Sequence, residues 1–110
     1  MKLLITNPAG LVVADAEANL DPAADFAHLV ATFTAGPGFD QVKKLLDEFE
    51  RIYATGDLER AAAIHAQVDE LGLVASGQDG ARYVVFNVYC QKGALQFAVS
   101  RAGARSLSGR

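Results

Sequence analysis

Residues 81 to 101 read Ala-Arg-Tyr-Val-Val-Phe-Asn-Val-Tyr-Cys-Gln-Lys-Gly-Ala-Leu-Gln-Phe-Ala-Val-Ser-Arg, two β-rich runs around a Gly-containing turn. Valine, tyrosine and phenylalanine fit a pleated, half-buried surface, and the turn glycine accepts a positive φ, so the stretch reads as a β-hairpin. In its second run Leu95, Phe97 and Val99 alternate with Gln96, Ala98 and Ser100, which buries one face. In the first run, strict alternation puts Val84, Phe86, Val88 and Cys90 on one side and Tyr83, Val85, Asn87 and Tyr89 on the other.

Immediately upstream, Leu73-Val74-Ala75 is a short strand and Gly77-Gln78-Asp79-Gly80 a turn. Before these, Val42, Leu45, Leu46, Phe49, Ile52 and Tyr53 fall on one stripe between Asp40 and Ala54, and Lys43, Lys44, Asp47, Glu48, Glu50 and Arg51 fill the remaining circumference. That is an amphipathic helix whose charges are accounted for by i,i+4 pairs. Thr55-Gly56-Asp57 ends it and caps another, patterned by Leu58, Ala61, Ile64, Val68 and Leu71 and stopped at Gly72, so the two form an antiparallel hairpin. Earlier still, Asp21-Pro22 reads as N-cap and first turn of a helix carrying Phe26, Leu29, Val30 and Phe33 up to Gly36-Pro37-Gly38. The chain opens with a hairpin of Leu3-Leu4-Ile5 and Leu11-Val12-Val13 around Asn7-Pro8-Ala9-Gly10.

The predicted order is β-β-α-α-α-β-β-β. Short connections within each hairpin make this an α+β chain with a single five-stranded antiparallel sheet and the helices packed on one face. One domain spans 1–101, and residues 102–110, rich in Ala, Gly, Ser and Arg, read as a flexible C-terminal tail. The expected core is Leu4, Phe26, Leu29, Phe33, Leu45, Leu46, Phe49, Ile52, Ile64, Phe86, Leu95 and Phe97, since many of the other apolar residues are alanines.

A net charge of −3 argues against attraction to nucleic acid or anionic lipid. The one cysteine, Cys90, allows no intrachain disulfide, and the opening apolar run ends at Thr6, short of a signal sequence or membrane span. A cytoplasmic protein is expected.

Leu-Leu-Ile-Thr-Asn-Pro-Ala-Gly-Leu-Val-Val-Ala-Asp at 3–15, followed by a helix from Asp21, resembles the strand, Gly turn, strand and helix unit of roadblock-type domains. The segments 73–85 and 93–99 resemble that family's closing strands, and PAS-type sensor domains are similar in the same places, with a shared profilin-like sheet. The likeness covers about half of the chain and implies dimerisation and a scaffold role. The helical pair from Asp40 to Leu71 departs from the roadblock pattern, which passes directly from helix to strand.

No catalytic, metal or cofactor signature stands out. Two separated histidines, one cysteine and helix carboxylates paired with Lys or Arg do not make a zinc set, and the glycines form no phosphate-binding loop. His28 reads as solvated. His65 borders the apolar face of its helix, where it serves either as a structural hydrogen-bonding residue or as a site residue. Cys90 reads as a small buried hydrophobe.

The first expectation is therefore a non-enzymatic regulatory module that binds a protein partner or a second copy of itself. Tyr83, Val85 and Tyr89, on the open face of the sheet, are its contact surface. A second expectation is a sensor that holds a small molecule between sheet and helices near His65, Phe86 and Cys90. A third is a small enzyme that uses His65 with a carboxylate.

Overall fold

The computed structural model describes residues 1–20, 26–78, 80–91 and 93–101. Its elements are β1 (Lys2–Thr6), β2 (Val12–Glu17), β3 (Phe26–Ala35), α1 (Phe39–Ala54), α2 (Leu58–Asp69), β4 (Val74–Gly77), β5 (Arg82–Gln91) and β6 (Ala94–Arg101). Every pairing is antiparallel, and because β1 bonds to both β2 and β4, the order β1-β2-β3-β6-β5-β4 closes into a barrel. The α+β class and the antiparallel sheet agree with the sequence. The five-stranded sheet with three helices is corrected to six strands, closed, with two helices among the described residues.

The difference lies in one segment. Phe26, Leu29, Val30 and Phe33 satisfy a helical spacing, but Ala27, Leu29, Ala31 and Phe33 satisfy a period of two, and that second set turns inward as β3. Tertiary pairing decides between them. β3 bonds to β2 along one edge and to β6 along the other, which removes two open edges that a five-stranded sheet would expose. Val30, Thr32, Phe33 and Thr34 also favour extended backbone. The cap expected at Asp21-Pro22, like the tail at 102–110, lies outside the described residues.

A six-stranded barrel has a narrow interior, and here the alanines acquire a use. Ala14, Ala16, Ala31 and Ala75 are buried wall residues that leave room for Leu3, Ile5, Leu29, Tyr83, Val85, Leu95, Phe97 and Val99. Each large apolar side chain buried there contributes about 1.5–3 kcal/mol. Leu4 and Phe26, expected in the core, point outward instead, because Leu3, Ile5 and Leu29 hold the inward parity of their strands.

Helix α1 lays Phe39, Val42 and Leu46 against the inward residues of the barrel, closing one end. The chain enters it through a tight junction in which the N–H groups of Gly36 and Gly38 donate to the carbonyls of Val13 and Val12 at 2.9 and 2.8 Å. A Cβ on Gly36 would stand 2.3 Å from the Val12 carbonyl oxygen, so only glycine permits the approach. Asp57 caps α2 by accepting from the Arg60 N–H, and Ile52, Ala61 and Ile64 form a small second core between the helices.

Candidate functional site

The features that shape the outer surface begin at Asn87. Its φ of 54° is the one positive value among the described non-glycine residues, a conformation that asparagine tolerates better than most. Its N–H donates to the Asp69 carboxylate at 2.9 Å, tying the end of α2 to the strand, and the β5–β6 register shifts between Phe86 and Tyr89. This is a β-bulge, and the extra residue breaks the alternation of the strand. Tyr83, Val85 and Val88 therefore face the interior, whereas Val84, Phe86 and Tyr89 face outward.

The expected contact surface is corrected accordingly. Tyr83 is 0% exposed and Val85 is buried beside Val99, so neither shares a face with Tyr89. The Tyr83 ring lies under the Arg101 guanidinium at 5.7 Å, and its hydroxyl has no hydrogen-bond partner among the described residues.

Two surfaces take its place. The first is the outer wall of β3, β6, β5 and β4, where register aligns Phe26, Ser100 and Val84 in one row and His28, Ala98 and Phe86 in the next. The Phe26 and Phe86 rings meet at 5.8 Å, and His28 sits edge-on to Phe26 at 5.4 Å. Phe26 is 52% exposed, Val30 65% and Val84 42%. Phe26, Val84, Phe86 and Ser100 surround a depression of about 360 Å³. Val74 and Ser76 of β4 continue the wall, and Arg82, paired with Ser76, is the only charged residue among these outward positions.

The second surface is a cleft of about 360 Å³ between α1 and the strand ends, walled by Phe49, Tyr53 and Tyr89, with Cys90 and Glu50 on its lining. Phe49 is the hub: its ring lies 5.7 Å from Tyr53, 5.6 Å from Tyr89 and 5.2 Å from His65. His65 stacks on Tyr89 at 4.7 Å, and its buried Nε2 has no hydrogen-bond partner among the described residues. Of the three residues expected around a ligand, then, His65 and Cys90 flank Tyr89 at this cleft. Phe86 belongs to the wall, on the other side of the bulge.

Burial pushes the Cys90 thiol above its usual range; the Asp47 and Glu50 carboxylates push the same way, and Lys43 opposes them. A thiol held protonated is a poor nucleophile. No cluster of three or more His, Cys, Asp or Glu side chains that would hold a metal occurs among the described residues, and no described helix is long and apolar enough to cross a membrane.

Comparison with protein-family models, with curated proteins and with solved structures finds no match, so the likeness to roadblock- and PAS-type domains rests on the quoted segments alone. Phe49, Tyr53 and Glu50 were legible as members of α1, but only as a stripe and its charged border. Their i,i+4 spacing shows that Phe49 and Tyr53 share a face, and nothing in it shows that the face meets Tyr89.

Proposed function

We propose that the chain is a non-enzymatic regulatory module of the cytoplasm that pairs with a second copy of itself through the outer wall of β3, β6 and β5. One observation carries this reading: the wall exposes Phe26, Val30 and Val84 around half-buried Phe86 and bears no carboxylate. Aromatic enrichment and charge depletion mark the centres of protein interfaces, and an exposed apolar patch of this kind is uncommon on a free monomer.

Because the barrel closes, every described strand has a neighbour on each side, which disfavours strand addition as a mode of association. Contact by faces is favoured instead. Among the described residues the acidic side chains sit on β2, on the two helices and beside them, so pairing through those surfaces would oppose like charges. The wall, whose one charged residue is Arg82 at its β4 margin, can meet its own copy about a two-fold axis with little of that cost. The single thiol suits a reducing compartment.

Light scattering coupled to size-exclusion chromatography, over a range of concentrations, tests the reading. The expected mass is twice 11.6 kDa for the native chain, falling to 11.6 kDa for Val84→Glu and Phe26→Glu with the fold intact by circular dichroism. A native chain that stays monomeric throughout rejects self-pairing.

A further inference from the structure

We propose that the cleft between α1 and β5 binds a small organic cation, with a methylated ammonium group seated against Phe49, Tyr53 and Tyr89 and its charge facing Glu50. The inference stands apart from the pairing of the wall, because it rests on different side chains beyond the Asn87 bulge.

The walls define the shape of the occupant. The Phe49 and Tyr89 planes meet at 61°, and the Tyr53 plane lies within 26° of Phe49, so the rings make a corner rather than a parallel slot. A flat aromatic ligand needs two parallel faces, whereas a compact tetrahedral group fills a corner and touches several rings at once. Ring faces carry negative quadrupole charge, and aromatic surroundings of this kind attract alkylated ammonium groups that do not require hydrogen bonds.

Charge selects the sign. Glu50 is the only fully charged side chain on the lining, and it forms no ion pair among the described residues. Two cations of α1 have other carboxylate partners: Lys43 bonds to Asp47 at 2.6 Å, and Arg51 lies 3.9 Å from Glu48. Burial is the main reason the Cys90 thiol stays protonated; behind it the Asp47 and Glu50 carboxylates, opposed by Lys43, also disfavour a negative charge on that sulfur. An anion would meet the same opposition. His65, stacked behind Tyr89, acts as a positioning residue that fixes the angle of the ring.

A cleft of about 360 Å³ is of the size that holds a small molecule. The expected ligand is a free quaternary ammonium compound rather than a methylated side chain of another protein. The chain offers a built-in probe, because it has no tryptophan and three tyrosines, and Tyr53 and Tyr89 line the cleft.

The experiment is a titration of the full chain, followed by tyrosine fluorescence, with tetramethylammonium, with choline and with the neutral isostere 3,3-dimethylbutan-1-ol, each at constant ionic strength. Saturable binding of both cations is expected, with the alcohol about tenfold weaker or more. Tyr53→Ala and Glu50→Gln, both at exposed positions, should each weaken choline by about fivefold or more while the melting temperature holds. Equal affinity for the alcohol, a response no different from sodium chloride, or undiminished choline binding in both variants overturns the proposal. A peptide carrying trimethyl-lysine that binds more than about tenfold tighter than choline overturns the assignment to a free small molecule.

Discussion

The wall before Asn87 and the cleft after it are built on the same strand, β5, yet they differ in what stands over them. Val84 and Phe86 look out between neutral neighbours on β3 and β6, with no described element above. Tyr89 and Cys90, a few positions later, lie beneath a helix whose exposed rows carry Asp47, Glu48 and Glu50. The proposed pairing surface and the proposed cation cleft thus share one strand. The covering element, more than the residues of the strand, sets the chemistry, and the bulge sets where the cover begins.

The largest expected effect removes both regions together. Gly36→Ala places a methyl group 2.3 Å from the Val12 carbonyl oxygen, at the junction where β3 leaves the barrel for α1. It should cost roughly 2–3 kcal/mol in urea unfolding, the upper end for a single substitution. A variant as stable as the native chain would remove the close approach from the account. Asn87→Val separates the regions. A β-branched residue at φ 54° is strained by about 1–2 kcal/mol, and relief of that strain displaces Tyr89 from His65. The expected result is altered tyrosine fluorescence with unchanged solution mass, and Asn87→Gly should behave as native. Loss of association in Asn87→Val would show that the wall and the cleft are not separable.

How much of this could be read in the sequence depended on whether a residue's environment was local. The hairpin of β5 and β6, the inward set Leu95, Phe97 and Val99, and the α1 stripe with Val42, Leu46 and Ile52 all follow from periodicity, and the structure has them so. β3 was not legible, because Leu29 and Phe33 lie four apart and satisfy both periods. Only the edges of β2 and β6, distant in the chain, choose between them. Tyr83 and Val85 were placed on the wrong face of the barrel relative to Tyr89 because alternation was carried through Asn87. Asparagine in a strand is a weak sign of a bulge, and its fixing contact, Asp69, comes from another element. His65, from the border of its helix's apolar stripe, reaches the Tyr89 ring, and Cys90 is the next residue of the strand, whereas Phe86, grouped with them by the sequence, lies beyond the bulge. Phe49 and Glu50 joined them only once α1 was laid across the strand ends.

A smaller effect sharpens the distinction between buried and contacting tyrosines. Tyr83 keeps a buried hydroxyl without a hydrogen-bond partner among the described residues, so Tyr83→Phe removes that polar group and leaves the ring under Arg101. Stability should hold or rise by up to about 1 kcal/mol, and both solution mass and choline binding should be unchanged. A drop of comparable size would mean that the hydroxyl has a partner in solution. A loss of dimer would return Tyr83 to the contact surface.

The smallest effect reads the field inside the cleft through Cys90. Burial first, then Asp47 and Glu50, hold its thiol above the usual range, so the thiolate appears at higher pH than in a free cysteine. Alkylation by iodoacetamide follows the thiolate, and its rate against pH should therefore have a midpoint above that of a cysteine peptide. Glu50→Gln deletes one of the opposing charges, so the midpoint should move down and alkylation at pH 8 should quicken. Burial, the larger cause, remains, and the midpoint stays above that of the peptide. A midpoint indifferent to Glu50→Gln would mean that the carboxylate does not reach the sulfur, and the wall and the cleft would then differ in shape but not in charge.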